Sequence, residues 1–251
     1  MNWERYLELK RERHRPQNRF RPENEIEAKQ ALALGLIDIG QYVEYSLTLE
    51  PLLDSVHDPD PDVRKQAIRK IAEQRTPFSI RMLHNMLLDE DEEVRLYTAS
   101  ELDRLEGEMQ KHIHQLRKKL IENPNQLEIR FKLAKAYIEY ARLLLLDNNL
   151  RHFFLNKAVG ILNRNIALQP NNPDYLFYRG WVYQMQGNYQ KAITDLTKTI
   201  KLNKRFAMAF LILAEVYFEL GEYHYVKWIM NVIPVKKQQV EEYNVHLYWK
   251  T

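Results

Sequence analysis

Asp58, Asp60 and Asp62 alternate along the chain, the spacing with which the opening residues of an EF-hand loop hold calcium. Their neighbours deny them that chemistry. Pro59 and Pro61 stiffen the turn, Val63 stands where the loop needs glycine, and Arg69 where it needs a bidentate glutamate. A second acidic run, Asp89 to Glu93, repeats the arrangement, so both read as turns that cap a following helix: acidic side chains satisfy free N–H groups and the helix dipole. His112 and His114 stand two apart, about 200° around a helix, and cannot share a metal. His84, His152, His224 and His246 have no neighbouring ligand set. No Ser/His/Asp order and no pair of carboxylates stands out from the solvated charge. The expectation is a chain with no catalytic residue, no metal and no cofactor.

Composition narrows the class further. The apolar fraction of 45% is ample for a folded core. The seven glycines are never close enough for a phosphate-cradling loop, which argues against nucleotide-binding α/β folds. Without cysteine there is no disulfide, thiolate site or thiol nucleophile. The net charge of +3 is spread over interspersed acids and bases, so nucleic acid is not favoured as a partner. The start is the exception: Arg11, Arg13, Arg15, Arg19 and Arg21 crowd a stretch that lacks the apolar core of a signal peptide. They read either as a solvated linker or as a membrane-proximal segment attracted to anionic headgroups. No apolar run reaches the ~20 residues that span a bilayer.

The elements that could position a functional surface come in two repeats. In the C-terminal half the period is 34: Ala158, Ala192 and Val226; Leu162, Leu196 and Met230; Tyr183 and Tyr217; Gly187 and Gly221. That is the tetratricopeptide spacing, two antiparallel helices per unit. The first unit is lengthened: Tyr137 to Tyr183 is 46 residues, and the extra 12 fall around Tyr140–Leu150, so both helices should run one to two turns longer than usual, joined at Asp147-Asn148-Asn149. Between residues 48 and 105 the period is 31, matching Asp58 with Asp89 and Val63-Arg64 with Val94-Arg95. This resembles the HEAT family, whose acidic turn precedes Val-Arg; the Val anchors the first helical turn and the Arg reaches acids on the neighbouring unit. A long helix over 102–122 continues the second HEAT-like unit.

The fold expected is an all-α, right-handed helical-repeat solenoid. A basic helix and linker occupy 1–24, HEAT-like repeats 25–122, and tetratricopeptide units 123–251, ending in an amphipathic capping helix over 235–250. Such units stack because one alone cannot bury its apolar face, and their concave surface usually holds another protein. Transferring the family's groove positions exposes Phe177, Tyr178, Trp181, Met185, Leu211, Ile212 and Phe218. An apolar patch of this kind exceeds what monomers tolerate. Its cover is an amphipathic helix or extended segment of a partner, a segment of the same chain, or a second copy by self-association. The carboxylate clamp of chaperone-binding relatives is missing: Phe131, Lys135, Tyr178, Met208 and Ile212 stand at its positions.

The order of parts resembles PelE, of the Pel exopolysaccharide system of bacteria. Asp91-Glu92-Glu93-Val94-Arg95-Leu96-Tyr97, Leu102-Asp103-Arg104, the Ile113-His114 helix, Ala136-Tyr137, Arg151-His152 and the closing Tyr248-Trp249 carry the likeness over most of residues 45–250. The resemblance implies a non-enzymatic scaffold at the inner membrane, its cytoplasmic part continuous with membrane segments not present in this chain. The partners it implies are the cyclic-di-GMP receptor, the glycosyltransferase and the transporter of that system, besides an anionic membrane surface. The readings that compete with it are a protein-interaction adaptor unrelated to polysaccharide, a nucleic-acid-binding repeat protein using the basic N-terminus, and an accessory domain regulating an enzyme.

Overall fold

The computed structural model describes residues 54–143 and 147–233. The expected basic helix and linker, the helix over 25–47 and the capping helix over 235–250 lie outside the described residues, as do Arg11, Arg13, Arg15, Arg19 and Arg21. Among the described residues there are nine α-helices and no strand: α1 Pro61–Gln74, α2 Pro77–Met86, α3 Glu92–Glu122, α4 Leu127–Arg142, α5 Asn148–Leu168, α6 Pro173–Met185, α7 Tyr189–Leu202, α8 Ala207–Glu219 and α9 Tyr223–Val232. Each helix packs on the next in order, the contact pattern of a helical-repeat solenoid.

The acidic turns do the work their spacing implied. Asp60 caps α1 by accepting from the Asp62 N–H, with Pro61 at the first helical position, and Asp91 caps α3 by accepting from Val94 N–H. Each repeat arginine folds back over its own turn: Arg64 Nη1 donates to the Asp58 and Pro59 carbonyls, and Arg95 Nη1 to those of Asp89 and Glu90. Arg64 also reaches the next unit, its Nη2 donating to Asp89 Oδ1 at 3.1 Å in a buried pair.

The second acidic turn opens not a short helix but α3, a 31-residue helix roughly 46 Å long. Val94, Leu102 and Leu105 on its first half sit in a core with Ile68, Ile71, Ile80 and Leu83. Ile113 and Leu116 on its second half sit in a core with Leu133, Tyr137, Leu155 and Leu162. Leu143, at the end of α4, reaches back into the first core, and Met109 touches both. Tyr140 of α4 donates to Glu106 Oε1 at 2.8 Å and accepts from Gln110 Nε2, stitching the same junction. The HEAT-like and tetratricopeptide-like parts therefore share one helix rather than meeting at a linker.

The lengthened first unit is present. α4 exceeds α6 by three residues, α5 exceeds α7 by seven, and the α4–α5 connection is two residues longer than α6–α7, which accounts for all 12. The 34-residue matches are packing positions. Ala158, Ala192, Val226, Leu162, Leu196 and Met230 are all buried. Gly187 and Gly221 sit at φ +72° and +74° and end α6 and α8, where a left-handed residue lets the next N–H close on the carbonyl five back, Asn188 on Tyr183 and Glu222 on Tyr217.

Candidate partner-binding surface

Helices α4, α6 and α8 supply the side of the tetratricopeptide-like part where the groove was expected. The structure corrects the exposure of three of its seven residues. Phe177 is 1% exposed, Trp181 6% and Ile212 5%, so they form a buried floor rather than a wet surface. Tyr178, Met185 and Leu211 are half-buried, and Phe218 is 50% exposed.

For Phe177 the physical reason is Phe206. It stands 34 residues after Asn172, which caps α6 by accepting from the Asp174 and Tyr175 N–H groups. Phe206 has no cap side chain to offer; instead its ring packs 4.7 Å from Phe177. Trp181 stacks beside Phe177 at 6.3 Å and lies 6.0 Å from Tyr178. Phe131 of α4 meets Tyr175 and Tyr178 edge-on at 4.9 and 5.2 Å. This continuous aromatic ladder joins the three units. Sequence reasoning missed Phe206, although an aromatic at the capping position of the repeat was a visible signal.

Charge on this side comes from Glu128, Lys132, Lys135 and Glu139 of α4, Asp174 of α6, and Glu215 and Glu219 of α8. Lys135 lies 5.6 Å above the Tyr178 ring. Burial pushes the Asp174 carboxyl up, against the pull of Lys135. The ion pair that organises the second unit is elsewhere: Arg179 Nε and Nη2 hold both Asp195 oxygens at 2.7 Å while Nη1 donates to Asn163, tying α6 to α7 and α5. Hydrogen bonding to Asp195 holds the guanidinium pKa above its ordinary value.

The last described unit carries an apolar surface of which only Phe218 was among the expected groove positions. Phe218, Leu220, Tyr223, Tyr225, Trp228 and Val232 are all 43–58% exposed within 15 residues. Tyr225, Trp228 and Val232 share one face of α9 by their spacing of three and four. Tyr225 stacks on Tyr217 at 4.6 Å, so this face is held rigid from behind. The decayed periodicity of that unit hid it.

The candidates for metal chemistry are otherwise engaged. Asp58 and Asp60 accept backbone N–H groups at 2.8 Å, and no acid–histidine group among the described residues is placed to hold a metal.

A family model for HEAT repeats matches residues 49–137, and one described as anaphase-promoting complex, cyclosome, subunit 3 matches residues 151–225. No curated protein matches the chain. Among solved structures the chain is similar to MamA (25% identity, 52% of this chain and 69% of that one, TM-score 0.42). It is similar also to a thermophilic TPR protein of Thermus thermophilus (18%, 74% and 89%, 0.48) and to MamA of Desulfovibrio magneticus (12%, 75% and 94%, 0.42). The chain is thus built of HEAT-like and tetratricopeptide-like repeats, a class whose members typically serve as non-catalytic scaffolds for protein–protein interaction.

Proposed function

We propose that this chain is a non-enzymatic scaffold of a Pel-type exopolysaccharide synthesis complex, working at the cytoplasmic face of the inner membrane. The observation that carries the docking role is the apolar surface of the last unit, with Trp228 58% exposed on the same helix face as Tyr225 and Val232. A rigid aromatic face of this kind suits a partner's amphipathic helix. Tyr178, Met185, Leu211 and Phe218 continue it along the groove, over the floor of Phe177, Trp181 and Ile212. The PelE resemblance supports the polysaccharide context and names the partner classes: the cyclic-di-GMP receptor, the glycosyltransferase and the transporter. It also supports tethering through membrane segments not present in this chain, with Arg11, Arg13, Arg15, Arg19 and Arg21 beside the bilayer.

Affinity purification from the native host tests the reading, using the parent chain beside Leu211→Ser/Trp228→Ser. Exopolysaccharide proteins captured by the parent and lost with the variant support both the surface and its context. Capture of the same unrelated proteins by both sinks the reading and leaves a general adaptor.

A further inference from the structure

Asn165 near the end of α5 donates to the Leu127 carbonyl just after α3, and Lys198 near the end of α7 donates to the Pro170 carbonyl just after α5, so the C-terminal ends of α3, α5 and α7 lie at one edge of the solenoid. That edge is basic. Arg117, Lys118 and Lys119 at the end of α3, Arg164 on α5, and Lys198, Lys201, Lys204 and Arg205 at and after the end of α7 are all exposed. None of the eight forms an ion pair among the described residues; elsewhere Arg104 is held by Glu101 and Glu108, Arg142 by Glu139 and Arg179 by Asp195. The acids nearby are few: Glu122 ends α3, Glu128 is paired with Lys132, and Asp174 opens α6. The opposite edge carries Asp89, Glu90, Asp91, Glu92 and Glu93, then Asp147, Glu219 and Glu222, against the fewer bases Arg95, Arg142, Arg151 and Lys191. The helix dipole favours cations within the last turn only. It leaves Arg117, Arg164 and the pair beyond α7 unexplained.

A second observation falls on the same edge. Each of the three helix ends carries an exposed aliphatic side chain: Ile121 at 79%, Leu168 at 63% and Leu202 at 42%. Lysine with aliphatic tips, and no exposed aromatic among these three ends on which bases could stack, is the chemistry of a lipid interface rather than of nucleic acid.

We propose that this edge lies on an anionic phospholipid surface, the lysines and arginines at the headgroups and Ile121, Leu168 and Leu202 dipping toward the acyl boundary. This adds a peripheral contact to the tether proposed above and rests on that reading only for which membrane is meant. It also orients the solenoid, with its acidic edge turned away from the bilayer.

Flotation of the full chain with vesicles of phosphatidylcholine, alone or mixed with phosphatidylglycerol, tests it. The parent should float with the mixed vesicles and not with phosphatidylcholine alone. Lys118→Gln/Lys119→Gln/Lys201→Gln/Lys204→Gln should lower the partition coefficient by about two to three orders of magnitude, at the usual gain per basic residue near an anionic surface. Ile121→Ser/Leu168→Ser/Leu202→Ser should weaken vesicle binding while leaving retention on single-stranded RNA unchanged. Far-ultraviolet circular dichroism checks that both variants stay folded. Three results overturn the proposal: vesicle binding untouched by the lysine variant, loss confined to Arg11→Gln/Arg13→Gln/Arg15→Gln/Arg19→Gln/Arg21→Gln, or vesicle binding indifferent to the aliphatic variant. Partner capture is read separately in detergent extracts, so failure here is distinguishable from failure of the scaffold reading.

Discussion

Trp181 is where the groove reading and the structure part, and substitution there separates them. A groove residue facing water can be cut to alanine at little cost to stability. A residue 6% exposed, between Phe177 and Tyr178, cannot. Truncating a buried Trp to Ala costs about 3–5 kcal/mol, the lost transfer energy plus the cavity left behind. For a chain of this size each kcal/mol moves Tm by roughly 2–4 °C, so Trp181→Ala should melt about 6–20 °C below the parent. Phe218→Ala is the internal control. Its ring is 50% exposed, so about half of the ~1.5–3 kcal/mol for a buried Phe is at stake, and the shift should stay within a few degrees. Thermal unfolding followed by circular dichroism reads both. Repeat proteins unfold in coupled units, so the loss should show as a separate early transition of the last two units or as a shift of the whole curve. A Trp181→Ala chain melting within about 2 °C of the parent would refute the reasoning, because no cavity of that size is free.

Arg64→Ala leaves the buried Asp89 carboxylate without its cation, holding only the Asp91 N–H, and frees the Asp58 and Pro59 carbonyls, so a loss of about 3–5 kcal/mol is expected by denaturant titration. Exposed Arg69→Ala should stay within about 0.5 kcal/mol, and equal effects at the two positions would remove the buried pair from the account. Gly180→Ala places a Cβ 3.0 Å from Leu196 Cγ and 3.2 Å from Asp195 Cβ; overpacking should cost about 1–3 kcal/mol, measured as a shift in unfolding midpoint, and no shift would mean that α6 and α7 can part freely. Burial pushes the Tyr140 phenol up to about 12. The folded pKa lies above the unfolded one, so this contribution to stability is whole below about pH 10 and is lost as pH rises through about 12. Absorbance titration of the parent minus Tyr140→Phe should show one tyrosine ionising late, and a difference curve centred on the ordinary phenol range would contradict it.

Both repeats were legible because each depends on neighbours close in sequence. The period of 34 marks where Ala158 and Ala192 let helices touch and where Gly187 and Gly221 must turn left-handed. The period of 31 marks Asp60 and Asp91 meeting N–H groups two or three residues on. The 12 extra residues followed from counting, but not their division: α5 gains seven and α4 only three, less than the turn expected of it. The docking surface was only half legible, because exposure belongs to what lies opposite a side chain, not to its place on a helix. Phe177 and Trp181 have the right helical positions for a groove, yet Phe206, one turn beyond the next helix, packs on Phe177, and Trp181 lies against Phe177 and Tyr178. The α9 face of Tyr225, Trp228 and Val232 was hidden for the converse reason: a repeat template treats those positions as decay.

The amino-acid order alone thus determined the class of fold, the 12-residue enlargement of the first tetratricopeptide-like unit and the acidic turns that cap α1 and α3, since these are set by local spacing, capping and backbone freedom. Only the tertiary structure decided that α3 serves two cores, that the groove floor is sealed, and that cations with no ion pair among the described residues share one edge with aliphatic tips from helices 34 or more residues apart. Those features arise from packing between distant segments, where no period along the chain records which side chain will stand in front of which.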